Sequence, residues 1–178
     1  MPITLVRVPV DELDTFTFNI FRALGVAEDE ARRCTRGLME SELHCLPGQG
    51  QGVRRLPTYR ERISKGWIIP GAPYEIIKES PALALVDGHN GLGSVVSQKS
   101  MELAVQKAKV SGIGTVIVRN STHFGSAAVP ARLALEANCI GIAMTNAGPE
   151  MAPWGAASGV VGTNPWGIVV PTGGDFPV

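Results

Sequence analysis

No apolar run in this sequence approaches the roughly 18 residues that a membrane-spanning helix needs, and no membrane role is expected. An excess of one charge is equally missing, since 16 Lys plus Arg balance 16 Asp plus Glu. Without a basic field nothing draws in a phosphate backbone, which sets aside nucleic acid as a partner. Cysteine is sparse. Cys34, Cys45 and Cys139 are odd in number and lack CxxC spacing, so reduced structural thiols and a cytoplasmic location are expected. His44 and Cys45 are adjacent but have no further ligands at metal spacing, and no metal site is expected. The opening Met-Pro-Ile-Thr has no charged stretch leading into an apolar one, so it does not read as a secretory leader.

What remains is a chain of 178 residues, 44% hydrophobic, long enough to bury a sizeable core. Its neutral balance and slight apolar surplus fit a protein that buries some surface in an oligomer. Leu13, Phe16, Ile20, Phe21 and Leu24 are at helical spacing and predict a helix over 10–24, stopped by Gly25. A second helix is expected over 27–43, with Glu28, Asp29 and Glu30 in its first turn and Leu38 and Met39 on its core face. The two read as a hairpin. Pro47, Gly48, Gly50 and Gly52 then impose a loop. A third helix is expected over 53–66, with Pro57 near its start and Arg60 and Arg62 on a solvated face.

Strands are expected over 74–78 and 82–86, followed by a glycine-rich turn over 87–93 with His89 exposed, and a helix over 94–109. Beyond it, 113–118 reads as a buried strand, 120–126 as a polar loop, 127–137 as a helix-like run and 140–145 as a strand. A last strand, 166–170, follows the turn at 162–165. The predicted fold class is therefore mixed α/β: an N-terminal helical hairpin plus a mixed sheet with helices. The chain divides into a helical segment, 1–69, and a mixed α/β segment, 70–178. In open α/β sheets ligands collect where loops leave the carboxyl ends of strands, which directs attention to the loop after Val118.

Ser121, Thr122 and His123 place two hydroxyls and an imidazole on that loop. Gly125 permits close backbone approach, and the helix start beyond it offers N–H groups suited to a phosphate. A histidine beside an aromatic is also a common packing residue. The loop is no GxGxxG fingerprint, so an ordinary dinucleotide fold is not indicated. Loops 146–155 and 162–166 are rich in Pro, Gly and Asn; Thr163 and Asn164 can hydrogen-bond a polar substrate, although Asn-Pro also forms turns unaided.

Five segments in order, 53–59 (VRRLPTY), 87–93 (DGHNGLG), 120–125 (NSTHFG), 143–147 (AMTNA) and 162–165 (GTNP), give the chain a family resemblance over nearly its whole length. It resembles the malate/L-lactate dehydrogenase family, whose nucleotide-binding fold is not the Rossmann fold. Ureidoglycolate, sulfolactate, diketogulonate and cyclic-imine-2-carboxylate enzymes are among the relatives. The resemblance implies an NAD- or NADP-dependent hydride transfer on a small 2-oxo, 2-hydroxy or 2-imino acid, in a homodimer. It makes 70–178 the nucleotide-binding segment, with His123, Phe124, Gly125, Ser126 and Ala127 at the cofactor. Arg55 takes the substrate carboxylate, and Thr163 lies at the substrate.

The sequence departs from the family at two places. The position of the family's proton-donor histidine falls on Gln51, or on Gln49 if the loop's extra residues lie later. A glutamine donates a hydrogen bond but does not titrate, and loss of a general acid costs about 10²- to 10⁴-fold in rate. His44, five or seven residues upstream, is the candidate substitute. The other departure is the ending, where 166–170, a turn at 172–175 and the last residues read as an unfinished hairpin. The expectation is an N-terminal portion of a longer polypeptide. The alternative to an active enzyme is an impaired or truncated member serving as a binding or assembly subunit.

Overall fold

The structure, a computed structural model, describes residues 6–44, 52–174 and 177. Helices α1 (Val10–Ala23) and α2 (Glu28–Leu43) form and pack on each other, although Phe16, counted in the apolar spacing, stays exposed and Phe18 packs on the core instead. They bury Phe21, Val26, Ala31, Cys34 and Leu38 in a core shared with Leu56, Tyr59, Ile68, Leu92 and Val95. Burial also drives the Cys34 thiol well above its ordinary pKa, which keeps it un-ionised and inert. Cys45 lies outside the described residues.

The segment expected as one helix over 53–66 begins as a 3-10 turn, Val53–Arg55, and continues as α3 (Leu56–Ser64). A carboxylate from the last turn of α2 fixes this start: the Val53 N–H donates to Glu42 Oε2 at 3.0 Å. Gly52 is needed there, because a Cβ would run into the same carboxylate. Glu42 therefore satisfies a donor that a helix start leaves unpaired and sets where Arg54 and Arg55 follow.

Strands β1 (Glu75–Glu79), β2 (Leu83–Asp87) and β3 (Thr115–Arg119) form a mixed sheet in that order, antiparallel then parallel. Helix α4 (Gly93–Ser111) makes the crossover that parallel β2 and β3 demand. Ala84 and Val86 are buried on one side of β2, while Leu83 and Ile117 on the other remain exposed, so β3, expected as a buried strand, is not one: nothing among the described residues covers that face.

The order strand, loop, helix, strand appears as expected, but its last strand joins a different sheet. Strand β4 (Gly141–Met144) pairs antiparallel with β5 (Trp166–Val169), matching Ile142 with Ile168 and Met144 with Trp166. Glycines account for the placement. A Cβ at Gly141 would strike the Ala131 carbonyl and one at Gly167 the backbone of Ala127, so this hairpin lies directly against α5 (Ala128–Arg132). The helix-like run over 127–137 divides into α5 and a 3-10 turn, Leu133–Ala137, and ends at left-handed Asn138 (φ 54°). Among the described residues no helix is long and apolar enough to cross a membrane.

The loops that follow β2 and β3 are bound together by one carboxylate. Asp87, 4% exposed, accepts from the His89 N–H at 2.9 Å, from Arg119 Nε at 2.8 Å and from Asn120 Nδ2 at 2.9 and 3.1 Å. Backbone bonds run alongside, from the Gly88 N–H to the Arg119 carbonyl and from the Asn90 N–H to the Asn120 carbonyl. Thr122 Oγ1 donates to the Gly91 carbonyl at 2.7 Å and accepts from the Gly93 N–H at 2.9 Å. At Gly93 a side chain would collide with the carbonyls of Thr122 and His123. His89, expected to be exposed, is partly covered, with Nε2 2.7 Å from Glu75 Oε2.

The His89 N–H, and after it Arg119 and Asn120, hold the Asp87 carboxyl below its usual range. A lowered folded-state pKa contributes stability that is complete above the unfolded value near 3.9 and is lost as pH falls through the folded one. The Asp87→Asn variant is therefore expected to melt lower than the parent at neutral pH. Its deficit should shrink below about pH 4, where the parent's carboxylate is neutralised as well. Thermal melts across that range check this; a deficit independent of pH would contradict it.

Candidate functional site

Tyr59, on α3, is 4% exposed, and its ring meets Phe21 edge-on with centroids 5.6 Å apart. Phe21 comes from α1, so the N-terminal helices fix the plane of the phenol. The tyrosine hydroxyl lies 3.1 Å from His123 Nδ1, and the two rings are 6.0 Å apart. One hydrogen bond thus fastens α3 to the loop after β3. Arg55 precedes Tyr59 by four residues, one helical turn.

The electrostatics of this junction follow from burial and two cations. Loss of water first, then the positive charges of Arg55 and Arg62, push the His123 imidazole down to about 4. The ring is consequently neutral at neutral pH. Burial moves the Tyr59 phenol the other way, so its hydroxyl keeps its proton. Arg62, expected on a solvated face, is half-buried and close enough to act on His123, whereas Arg60 is exposed as expected.

The loop from His123 to Ala127 presents backbone more than side chain. Gly125 adopts φ 84°, and beyond its two chain neighbours no atom of the described residues lies within 4 Å of the place a Cβ would occupy. A flat ligand can approach the main chain there, and the neutral imidazole beside it offers a polar atom without charge. These features fit a nucleotide. The helix start contributes less than expected. The Ala128 N–H donates to Ser126 Oγ at 3.3 Å and the Val129 N–H to the Ser126 carbonyl at 3.2 Å, so both donors are used within the chain. Phe124, Gly125 and Ser126 are half-buried, and Ala127 is buried beneath β5.

The remaining expected residues lie elsewhere. His44 caps α2, is exposed, and has both ring nitrogens engaged: Nδ1 is 2.7 Å from the Glu40 carbonyl and Nε2 is 2.7 Å from Arg132 Nη1. A guanidinium only donates and a carbonyl only accepts, so in this geometry Nδ1 is the donor to the Glu40 carbonyl and Nε2 the acceptor from Arg132. Thr163 is exposed, beside left-handed Asn164, whose Oδ1 accepts from the Ala147 N–H at 2.8 Å. Among the described residues no hydrogen bond joins Thr163 to Arg55 or His123. Gln49 and Gln51 lie outside the described residues.

The structure therefore brings together Arg55, Arg62, Tyr59 and the loop at His123. Sequence reasoning gave no role to Tyr59, Glu42 or Asp87. The signals were faint: a tyrosine one turn after the arginine, and an aspartate at a strand end ahead of Gly-His-Asn-Gly.

Because the Arg62 charge helps hold His123 down, the Arg62→Ala variant is expected to raise the midpoint of the His123 imidazole above about 4. Imidazole proton NMR of the parent and variant reads this directly. A midpoint that does not move would remove Arg62 from the site.

A family model for malate/L-lactate dehydrogenase matches residues 8–178. Malate dehydrogenase from Pyrococcus horikoshii is 41% identical over 167 residues, covering 94% of this chain and 46% of that protein. L-sulfolactate dehydrogenase from Methanocaldococcus jannaschii is 41% identical over 150 residues, covering 84% of this chain and 43% of that protein. The solved structure of the Pyrococcus horikoshii malate dehydrogenase superposes with a TM-score of 0.91 at 41% identity, covering 97% of this chain and 49% of that one. The chain spans about half the length of the relatives it matches.

Proposed function

The chain belongs to the malate/L-lactate dehydrogenase family, and on that premise we propose that it carries the substrate arginine and a cofactor loop of an NAD- or NADP-dependent oxidoreductase. The substrate class is a small 2-oxo, 2-hydroxy or 2-imino acid, the assembly a homodimer and the location cytoplasmic. One observation carries the reading. The Tyr59–His123 hydrogen bond holds α3, which Arg55 directly precedes, against the loop running to Ala127, so a cation suited to an acid and an open stretch of backbone are neighbours. Relatives named for malate and sulfolactate chemistry support the same substrate class.

In this reading the Arg55 guanidinium grips the substrate carboxylate through two parallel N–H bonds. His123, Phe124, Gly125, Ser126 and Ala127 line the nucleotide, with the bare backbone at Gly125 admitting it closely. When bound, the nicotinamide supplies the hydride chemistry. Thr163 offers its hydroxyl to the substrate. Gln51, or Gln49, donates a hydrogen bond to the substrate oxygen in the place where relatives deliver a proton. His44 serves as a proton source only after releasing Arg132 and the Glu40 carbonyl.

A second reading, a binding or assembly subunit impaired in turnover, draws on the state of the imidazoles. His44 has both nitrogens committed within the chain, and His123 is neutral down to about pH 4.

Titration of the chain with NADH or NADPH is expected to quench tryptophan fluorescence saturably, Trp154 and Trp166 being exposed reporters. The Arg55→Ala variant should weaken use of a 2-oxo acid by about tenfold or more, the scale of a lost charged hydrogen bond. Gln51→His or Gln49→His should raise reductase activity in an impaired enzyme; no gain in either favours the binding subunit. Absence of quenching by both nucleotides would count against the cofactor loop.

A further inference from the structure

We propose that Tyr59 is a positioning residue that fixes His123 as the Nε2–H tautomer, making the imidazole a permanent hydrogen-bond donor to an acceptor oxygen of the bound nucleotide or acid. In this role His123 is a donor and not a proton-transfer group. The inference rests on the site proposed above and deepens it.

The argument is one of hydrogen-bond supply. The Tyr59 hydroxyl is buried, and among the described residues its single partner is His123 Nδ1 at 3.1 Å. Two arrangements are conceivable. If Nδ1 carried the proton and donated to the phenol oxygen, the tyrosine's own O–H would be left without an acceptor in a dry place. A buried donor without a partner is costly and rare in folded proteins. If the phenol donates to Nδ1, both groups are satisfied, and the imidazole proton must then sit on Nε2. The second arrangement is the one the packing selects.

Rigidity follows from the same neighbours. Phe21 meets the phenol edge-on, so the hydroxyl is delivered from a fixed ring. The carbonyls of Thr122 and His123 abut Gly93 at the start of α4, which fixes the imidazole's backbone from the other side. With Nδ1 spent on Tyr59, Nε2 lies across the ring and has no partner among the described residues, although His123 is only half-buried. A lone donor beside the positive field of Arg55 and Arg62 suits an oxygen bearing negative charge. An arginine pair also opposes protonation of the ring, which keeps the imidazole from becoming an acid as the ligand arrives.

The test uses the whole chain, labelled with 15N, and long-range imidazole correlation spectra that distinguish protonated from bare ring nitrogens. Three histidines make the assignment tractable. In the parent, His123 is expected to show a bare Nδ1 and a protonated Nε2 at neutral pH. In the Tyr59→Phe variant, which keeps the ring against Phe21, that preference should relax to a mixture. NADH or NADPH affinity should fall with it by about three- to tenfold, the scale of one hydrogen bond. A parent spectrum with the proton on Nδ1 overturns the proposal, and this single spectrum decides even if the variant does not fold. An unchanged tautomer in Tyr59→Phe also overturns it. The Nε2–H form in a parent that binds neither nucleotide upholds the positioning and instead sinks the cofactor reading.

Discussion

The geometry of this protein depends on the Asp87 carboxylate. It sits at the end of a strand, nearly free of solvent, and gathers a backbone N–H from its own loop together with a guanidinium and an amide from the next strand's exit. Buried charge is tolerable only when it is paired and hydrogen-bonded, and here it is both. The consequence is positional. Two loops leaving adjacent parallel strands are drawn into register, and the second of them carries His123. Thr122 repeats the logic with a hydroxyl that donates to one residue of the neighbouring loop and accepts from another. The candidate site is thus built on a fixed platform, and only then does the tyrosine of α3 reach it.

Charge near the site is arranged for reception. Arg55 and Arg62 make the surroundings of His123 positive, and the imidazole answers by staying neutral. His44, at the end of α2, has its Nε2 2.7 Å from Arg132 Nη1. A protein of balanced total charge thus gathers two cations around this imidazole, while several of its carboxylates work elsewhere. Asp87 braces loops, Glu42 caps the helix that follows it, and Glu102 pairs with Arg33 between α2 and α4.

Much of this was legible in the residue pattern, and the part that was not has physical causes. Periodicity and apolar runs marked α1, α2, α4 and the first three strands to within one or two residues, although β1 is exposed along its length and β3 is at most half-buried. It also supported the mixed α/β class. Periodicity cannot name a strand's partner, so β4 looked like a continuation of the β3 unit when, among the described residues, its partner is β5. The reason lies in Gly141 and Gly167, whose missing side chains let the hairpin lie on α5, a contact invisible in any one segment. Tyr59 and Asp87 went unassigned for a similar reason: Tyr59 bonds His123, and Asp87 joins its own loop to Arg119 and Asn120, all more than thirty positions away. Arg55 and the loop at His123 were singled out by motif resemblance, and their proximity emerges from the packing.

The contact at Gly93 has a mechanical consequence. Helix α4 contains 19 residues and is about 28 Å long at 1.5 Å per residue. Its first residue touches the main chain of Thr122 and His123 with no side chain between them, and packed interiors compress very little. With no side chain to yield at this contact, a shift of the helix start cannot be absorbed there and must be shared by the main chain of the loop.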